Sequence, residues 1–534
     1  MGPMSDEASL SLASFNATTR AHGLYDPLRF VVRLSPLIHQ RLEGLTPGAH
    51  ARLGKDDLRA YSVFLHETFH WWQHTGSTIG LISSLTYPSQ THANLKHLRQ
   101  FLREYGPVKS IQGLLTASKE NEGLGTRSGN AHTILNNSYD FAIFRALLNH
   151  PDRMPTLIKH PYFSGELHTH VVSFTNVIAA LSHSVDKSFS FVPNAPDWLD
   201  RYNELAARPR EPERIGIPPV GLYEIFEGQA RFNQSLFLTN GSGGSYSWDE
   251  LRQQMSFGSP YKDAFEVFLK VVGLSWPDRV IDPTVGLFLL VCDLAINPVA
   301  GFPFGIPDFE KFVAHMSPGR RFLALCLAVK SIGPSNLSVV DYSSAEYLAI
   351  ATKLTDACGF EPVTASGDTI RTWVADSPSF QNLASRQSTF GFPDENHPVG
   401  FLLGHFAAFA LDRRLRPEFF CWPGMFLAGP RATSDEAQLF EKHAPPFVDK
   451  ENDDGITPRI KIGLSEGTVR DEFQKFYSAN VLYDLVEQWI IKPGPFTYQL
   501  QWLATKQPPQ ELQGWAENVF SNCFGIRPNQ FKIL

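Results

Sequence analysis

The sequence predicts a mainly α fold with a minor β component, and three observations carry that expectation. Apolar residues recur at helical spacing in stretches spread from residue 58 to residue 520. A single segment, 29–37, has the β-branched character of a strand. Proline-bearing connections separate the helical stretches, and no internal repeat interrupts them.

In chain order, residues 5–25 read as a small, polar and flexible lead-in. Phe30, Val31, Val32 and Leu34 then suggest one strand, ending at Pro36. Lys55-Asp56-Asp57 opens the next run, where either aspartate can cap the first backbone amides of a helix. Leu58, Tyr61, Phe64, Leu65, Phe69 and Trp72 fall on one broad apolar stripe, as a buried central helix requires, and Gly76 is a natural stop.

Helical patterns follow at 92–105, 133–149 and 170–184, with prolines at 151, 155 and 193–196 between them and a stiff approach at 209–219. The stretch 220–232, V-G-L-Y-E-I-F-E-G-Q-A-R-F, is acidic on one side and apolar on the other. Asn240-Gly241-Ser242-Gly243-Gly244-Ser245 reads as a linker or mobile loop. Apolar helical patterns resume at 261–272, 283–295, 320–330, 343–358 and 399–411. Segment 444–467 is expected to be a long surface loop, and helices at 470–489 and 509–520 close the chain.

Length and composition bound the function. At 534 residues the chain exceeds the size at which one core usually stops growing. The expected divisions are a lead-in at 5–25, a region at 26–239, the Gly/Ser segment at 240–246 and a helical C-terminal region at 247–534. A net charge of −7 offers no basic stripe, so no nucleic-acid partner is expected. The most apolar run, 285–295, contains Asp293 and is too short to span a bilayer, so no membrane partner is expected either. Five widely separated cysteines with no C-x-x-C pair, and no signal-peptide pattern over residues 1–15, fit a cytoplasmic protein.

The chemistry centres on Leu65-His66-Glu67-Thr68-Phe69-His70-Trp71-Trp72-Gln73-His74, which contains H-E-x-x-H. On a helix, His66 and His70 leave the same face one turn apart and can meet one metal ion, while Glu67 can take a proton from metal-bound water. A random chain of this composition would contain the motif with a probability of roughly 3%, so its helical context matters. A catalytic zinc usually takes three protein ligands. His74 fails as the third: on an uninterrupted helix it lies about 12 Å along the axis from His66.

The two histidines, together with Glu227-Gly228-Gln229-Ala230, resemble the gluzincin metallopeptidases, in which a glutamate from a later helix completes the zinc site and E-G-x-A marks the aminopeptidase branch. The resemblance covers about thirty residues. It implies a zincin-like core with large helical additions, a sheet edge beside the active-site helix, Zn2+ held by His66, His70 and Glu227, and Glu67 as the catalytic base. Region 26–239 would then be the catalytic region with a helical insertion, and 247–534 a lid or substrate-recognition region. Small residues beside Glu227 would let two helices approach closely. The chain departs from aminopeptidase spacing, with 156 residues between His70 and Glu227, and has no G-x-M-E-N-like exopeptidase signature.

Glu224, one turn before Glu227, competes for the ligand role or orients a histidine. Candidate oxyanion stabilisers are Tyr223, Tyr342, Tyr347 and His397, and Arg231 is expected to be an ion-pair partner. The function so expected is a zinc-dependent peptidase acting on a protein or peptide. One alternative is a di-iron carboxylate oxidase, which shares the Glu67-x-x-His70 pair but usually needs a second E-x-x-H helix. The other is a non-catalytic interaction protein with a structural zinc, whose shell His74 or Glu224 would close.

Overall fold

A computed structural model of the chain describes residues 22–43, 53–120, 129–185, 189–191, 195–207, 216–301, 303–393, 396–449, 455–461 and 463–534. It is 68% helix and 4% strand. The elements that position the site are strands β1 (Gly23–Asp26), β2 (Val31–Leu34), β3 (Phe447–Asp449) and β4 (Ile456–Pro458), with helices α1 (Lys55–Gly76), α2 (Thr78–Tyr105), α3 (Leu222–Gly241), α4 (Asp263–Val272), α5 (Pro283–Ile296) and α6 (His397–Leu415).

Helix α1 is the axis of the molecule. Its predicted stripe is buried throughout, and from Phe64 to Gln73 every side chain is buried on all sides of the helix. The N-cap is Gly54, with no side-chain cap bond; Asp56 and Asp57 lie instead in the first turn, where their charges favour the helix dipole. The indoles of Trp71 and Trp72 both donate to the carbonyl oxygen of His443, at 3.1 and 2.9 Å, satisfying two buried donors with one acceptor.

The helix stops at Gly76, where Ser77 turns to extended backbone, and α6 comes too close at Gly76 for a side chain. A Cβ there would lie 2.6 Å from the Phe409 ring. Ser77 then caps α2, accepting from Gly80 N–H, while a Cβ on Gly80 would fall 1.8 Å from the Gln73 carbonyl. Helix α2 therefore starts fourteen residues before the predicted 92–105 pattern. Its first half is rich in buried Ser and Thr and contains Pro88, so burial rather than propensity sets its conformation.

Helix α1 packs against α2, α3, α6, β1 and β2, and α3 packs in turn against α4 and α5. The small sheet has the order β1-β2-β3-β4. β1 pairs antiparallel with β2, Gly23 opposite Leu34 through Asp26 opposite Val31; β2 pairs parallel with β3 at Val32–Val448; β3 and β4 are antiparallel. Two expectations are corrected here. Residues 23–26 are an edge strand and not part of a flexible lead-in, while residues 5–21 lie outside the described residues. Segment 444–467 is not simply a surface loop. Phe447 and Asp449 are buried in the sheet, and the Asp449 carboxylate accepts Leu34 N–H and the His39 ring. Residues 450–454 and 462 lie outside the described residues.

The glycine-rich segment is a fixed turn at the end of α3. Asn240 Nδ2 donates to the carbonyls of Met425 and Ala428, and a Cβ on Gly241 would touch Leu58 at 2.7 Å. No described helix is long and apolar enough to cross a membrane. All five cysteines are free thiols.

Candidate metal centre

Three ligand atoms converge where α1 crosses α3. His66 Nε2 and His70 Nε2 lie 3.1 Å apart, and Glu227 Oε2 lies 3.7 Å from the first and 3.3 Å from the second. A tetrahedral ion with bonds of about 2.1 Å has ligand-to-ligand edges of about 3.4 Å, which these separations bracket. Glu227 Oε2 is buried and, among the described residues, meets only the two histidine nitrogens, a costly arrangement for a carboxylate unless a proton or a cation lies between them. The donor set, two imidazoles and a carboxylate, suits a divalent transition metal such as zinc or iron. Glu67 also has an oxygen within 4.8 Å of a ring nitrogen of each histidine. Glu227 is the better third ligand because it is nearer and its oxygen is otherwise unpaired, whereas the Glu67 carboxylate accepts the backbone N–H of Tyr25.

The electrostatics separate the roles. Burial lowers the pKa of His66 to about 3, reinforced by the Arg231 charge, so His66 is neutral at physiological pH. Burial opposes charge on His70 as well, but the Glu227 carboxylate overcomes it and raises that pKa. For Glu227 itself, burial is outweighed by the charge on His70 and by hydrogen bonds from both histidines, holding the carboxyl well below its ordinary range. Without a cation a proton on the trio is thus favoured at His70 over His66. Burial pushes the Glu67 carboxyl up to about 7.

Strand β1 lies over Glu67. A Cβ on Gly23 would be 2.8 Å from Glu67 Cγ and Oε1, so only glycine lets the strand come this close. Arg231, expected to form an ion pair, makes none within 4 Å among the described residues. It stacks over the Tyr261 ring at 4.0 Å and donates to Gln234 Oε1 at 2.6 Å.

The other sequence candidates lie outside the centre or at its margin. Glu224 accepts Gly221 N–H at 2.8 Å and caps α3. His74 is half-buried between the rings of Tyr25 and Phe226, at 5.2 and 5.0 Å, and loss of solvent lowers its pKa to about 3. Tyr347 donates to buried Asp293 at 2.6 Å, Tyr342 packs on Trp422, and His397 pairs with Glu472 in a separate buried contact. Only Tyr223 stays near, 42% exposed on the turn before Glu227, with its pKa pushed up to about 12 by burial and then by Glu227. Gly228 faces Ala264 and Phe288 at ordinary contact distances, so the closeness it permits is to α4 and α5 and not to α1.

Tyr261 is the residue that sequence reasoning passed over. Its ring lies 6.1 Å from that of His66, edge to face, and its phenol feels the charges of Glu227 and Glu67. It sits just before α4, in a turn with no local pattern to mark it. Comparison of the chain with protein-family models, with curated proteins and with solved structures finds no match.

Proposed function

We propose that the chain is a zinc-dependent peptidase of gluzincin type, hydrolysing a peptide bond in a protein or peptide substrate. The observation that carries this reading is the convergence of His66 Nε2, His70 Nε2 and Glu227 Oε2 beside the Glu67 carboxylate. His66, His70 and Glu227 would hold the zinc ion, which would supply the Lewis acidity that polarises a scissile carbonyl and acidifies a water molecule.

The protein's own groups do the rest. Glu67, with a pKa near 7, takes a proton from the attacking water and returns it to the leaving amine. Tyr261, whose ring lies 6.1 Å from that of His66 and under the Arg231 guanidinium, is our candidate for hydrogen-bonding the developing oxyanion, with Tyr223 as the second. Strand β1, at the sheet edge, resembles the edge strand that a zincin-like core places beside its active-site helix.

Two other readings have less support. A di-iron centre needs further carboxylates, yet Glu224 caps a helix and the positive charge of Arg231 is felt at both His66 and Glu67. A structural zinc needs a fourth protein ligand, and His74 is packed between two rings. The test is incubation with an unfolded protein and a mixed peptide pool, read by mass spectrometry. The parent protein should generate new termini and Glu67→Gln should not; equal cleavage by both would remove the mechanism.

A further inference from the structure

Gln73 lies three residues beyond His70, is 2% exposed, and uses its whole amide between the two helices of the metal centre. Its Nε2 donates to the Phe226 carbonyl at 2.9 Å and to Gln229 Oε1 at 3.0 Å, both on α3. Its Oε1 lies 2.8 Å from His70 Nδ1.

The Phe226 carbonyl can only accept, which fixes the amide with its nitrogen toward α3 and its oxygen toward His70. His70 must then donate from Nδ1, leaving Nε2 as the nitrogen that faces His66 and Glu227. The same side chain therefore fixes the tautomer of one ligand and grips the backbone next to another, since Phe226 precedes Glu227. Gln229, the variable residue of E-G-Q-A, is the other anchor; it is 1% exposed.

We infer that Gln73 is a positioning residue: its amide holds the Nδ1 proton of His70 and clamps α1 to α3, so that the metal centre is assembled before a cation arrives. This rests on the zinc reading above. It goes beyond that reading in assigning a buried, uncharged side chain a direct effect on metal affinity, through another residue.

Two variants separate the parts of this role. Gln73→Met keeps the shape and removes all three hydrogen bonds. Gln73→Glu keeps an acceptor for His70 Nδ1 and removes the donors to α3. Zinc dissociation constants are measured by chelator competition on the parent and both variants, alongside the thermal midpoint of each protein freed of metal. Expected is a weakening of about 10- to 100-fold for Gln73→Met, with part of the affinity recovered in Gln73→Glu.

A merely structural role would lower the metal-free midpoint while leaving zinc affinity within about twofold of the parent, and that result overturns the inference. Equal weakening in both variants overturns the part assigned to His70. If Gln73→Met does not fold, Gln73→Glu is compared with Gln229→Met. Both lose contacts to α3 and keep the His70 acceptor, so both must weaken zinc, and unchanged affinity in both overturns the clamp. A parent protein that binds no zinc defeats the functional reading itself, which is a different outcome from a parent that binds zinc with variants that match it.

Discussion

His70 Nε2 and Glu227 Oε2 lie 3.3 Å apart on two helices that 156 intervening residues separate in the chain. Two acceptor atoms at that distance repel unless a proton or a cation lies between them. The Glu227 carboxylate raises the His70 pKa, which favours a proton in that place when metal is absent. A metal ion must displace it.

Proton and metal should therefore compete with a simple stoichiometry. His66 is already neutral and Glu227 already ionised, so among the three ligands only His70 has a proton to give up near neutral pH, and Glu67→Gln, which removes the other titrating carboxyl, is the protein to measure. Below the raised His70 pKa, the logarithm of the zinc association constant should fall by about one for each unit of pH. Affinity of Glu67→Gln measured across pH 5 to 8 checks this, and a slope of two would mean that both histidines are protonated. His66→Ala should lose stoichiometric zinc.

Glu67→Gln should retain zinc and fold while losing at least about 100-fold in hydrolysis rate. Parent activity should rise with pH through an apparent pKa at or below 7, since a bound cation can only lower the Glu67 value from about 7. Rates and zinc content measured on the same preparations decide this.

Tyr261→Phe removes one hydroxyl beside the centre. A loss of about 10- to 1000-fold in kcat, with zinc affinity unchanged, is the expected result if the phenol stabilises the oxyanion. Tyr342→Phe, whose ring packs on Trp422 and touches none of the three ligands, is the control and should leave kcat intact.

Asp140 offers a test of the fold itself. Burial pushes its carboxyl up from 3.8 to about 7, with His168 Nε2 at 4.0 Å. The unfolded chain then releases its proton first, so Asp140 costs stability progressively as pH rises from about 4 to 7, opposite in sign to a salt-bridged aspartate. Asp140→Asn should match the parent at pH 4 and exceed it at pH 8 by about 2 kcal/mol, allowing for residual solvent. Chemical denaturation at the two values measures the difference.

How much of this was legible in the sequence depends on how local each feature is. His66, Glu67 and His70 are spaced by one helical turn, and the stripe from Leu58 to Trp72 predicted the helix that carries them. Glu227 was reachable through the E-G-Q-A resemblance, and the geometry brings its carboxylate to both histidines. Strand β1 was hidden because Gly-Leu-Tyr-Asp has no strand signal until β2 pairs with it and Glu67 packs beneath. Tyr261 and the Gln73–Gln229 bond depend on contacts between distant segments, which no spacing rule encodes. The polar segment 444–467 misled because its buried aspartate is satisfied by partners from residues 34 and 39.

The central claim is that His66, His70 and Glu227 hold one zinc ion. Elemental analysis of the full chain, purified without added metal, tests it most directly. About one zinc per chain in the parent, lost in Glu227→Ala and retained in Glu224→Ala, is the predicted result. Two irons per chain, or zinc unaffected by Glu227→Ala, would contradict it.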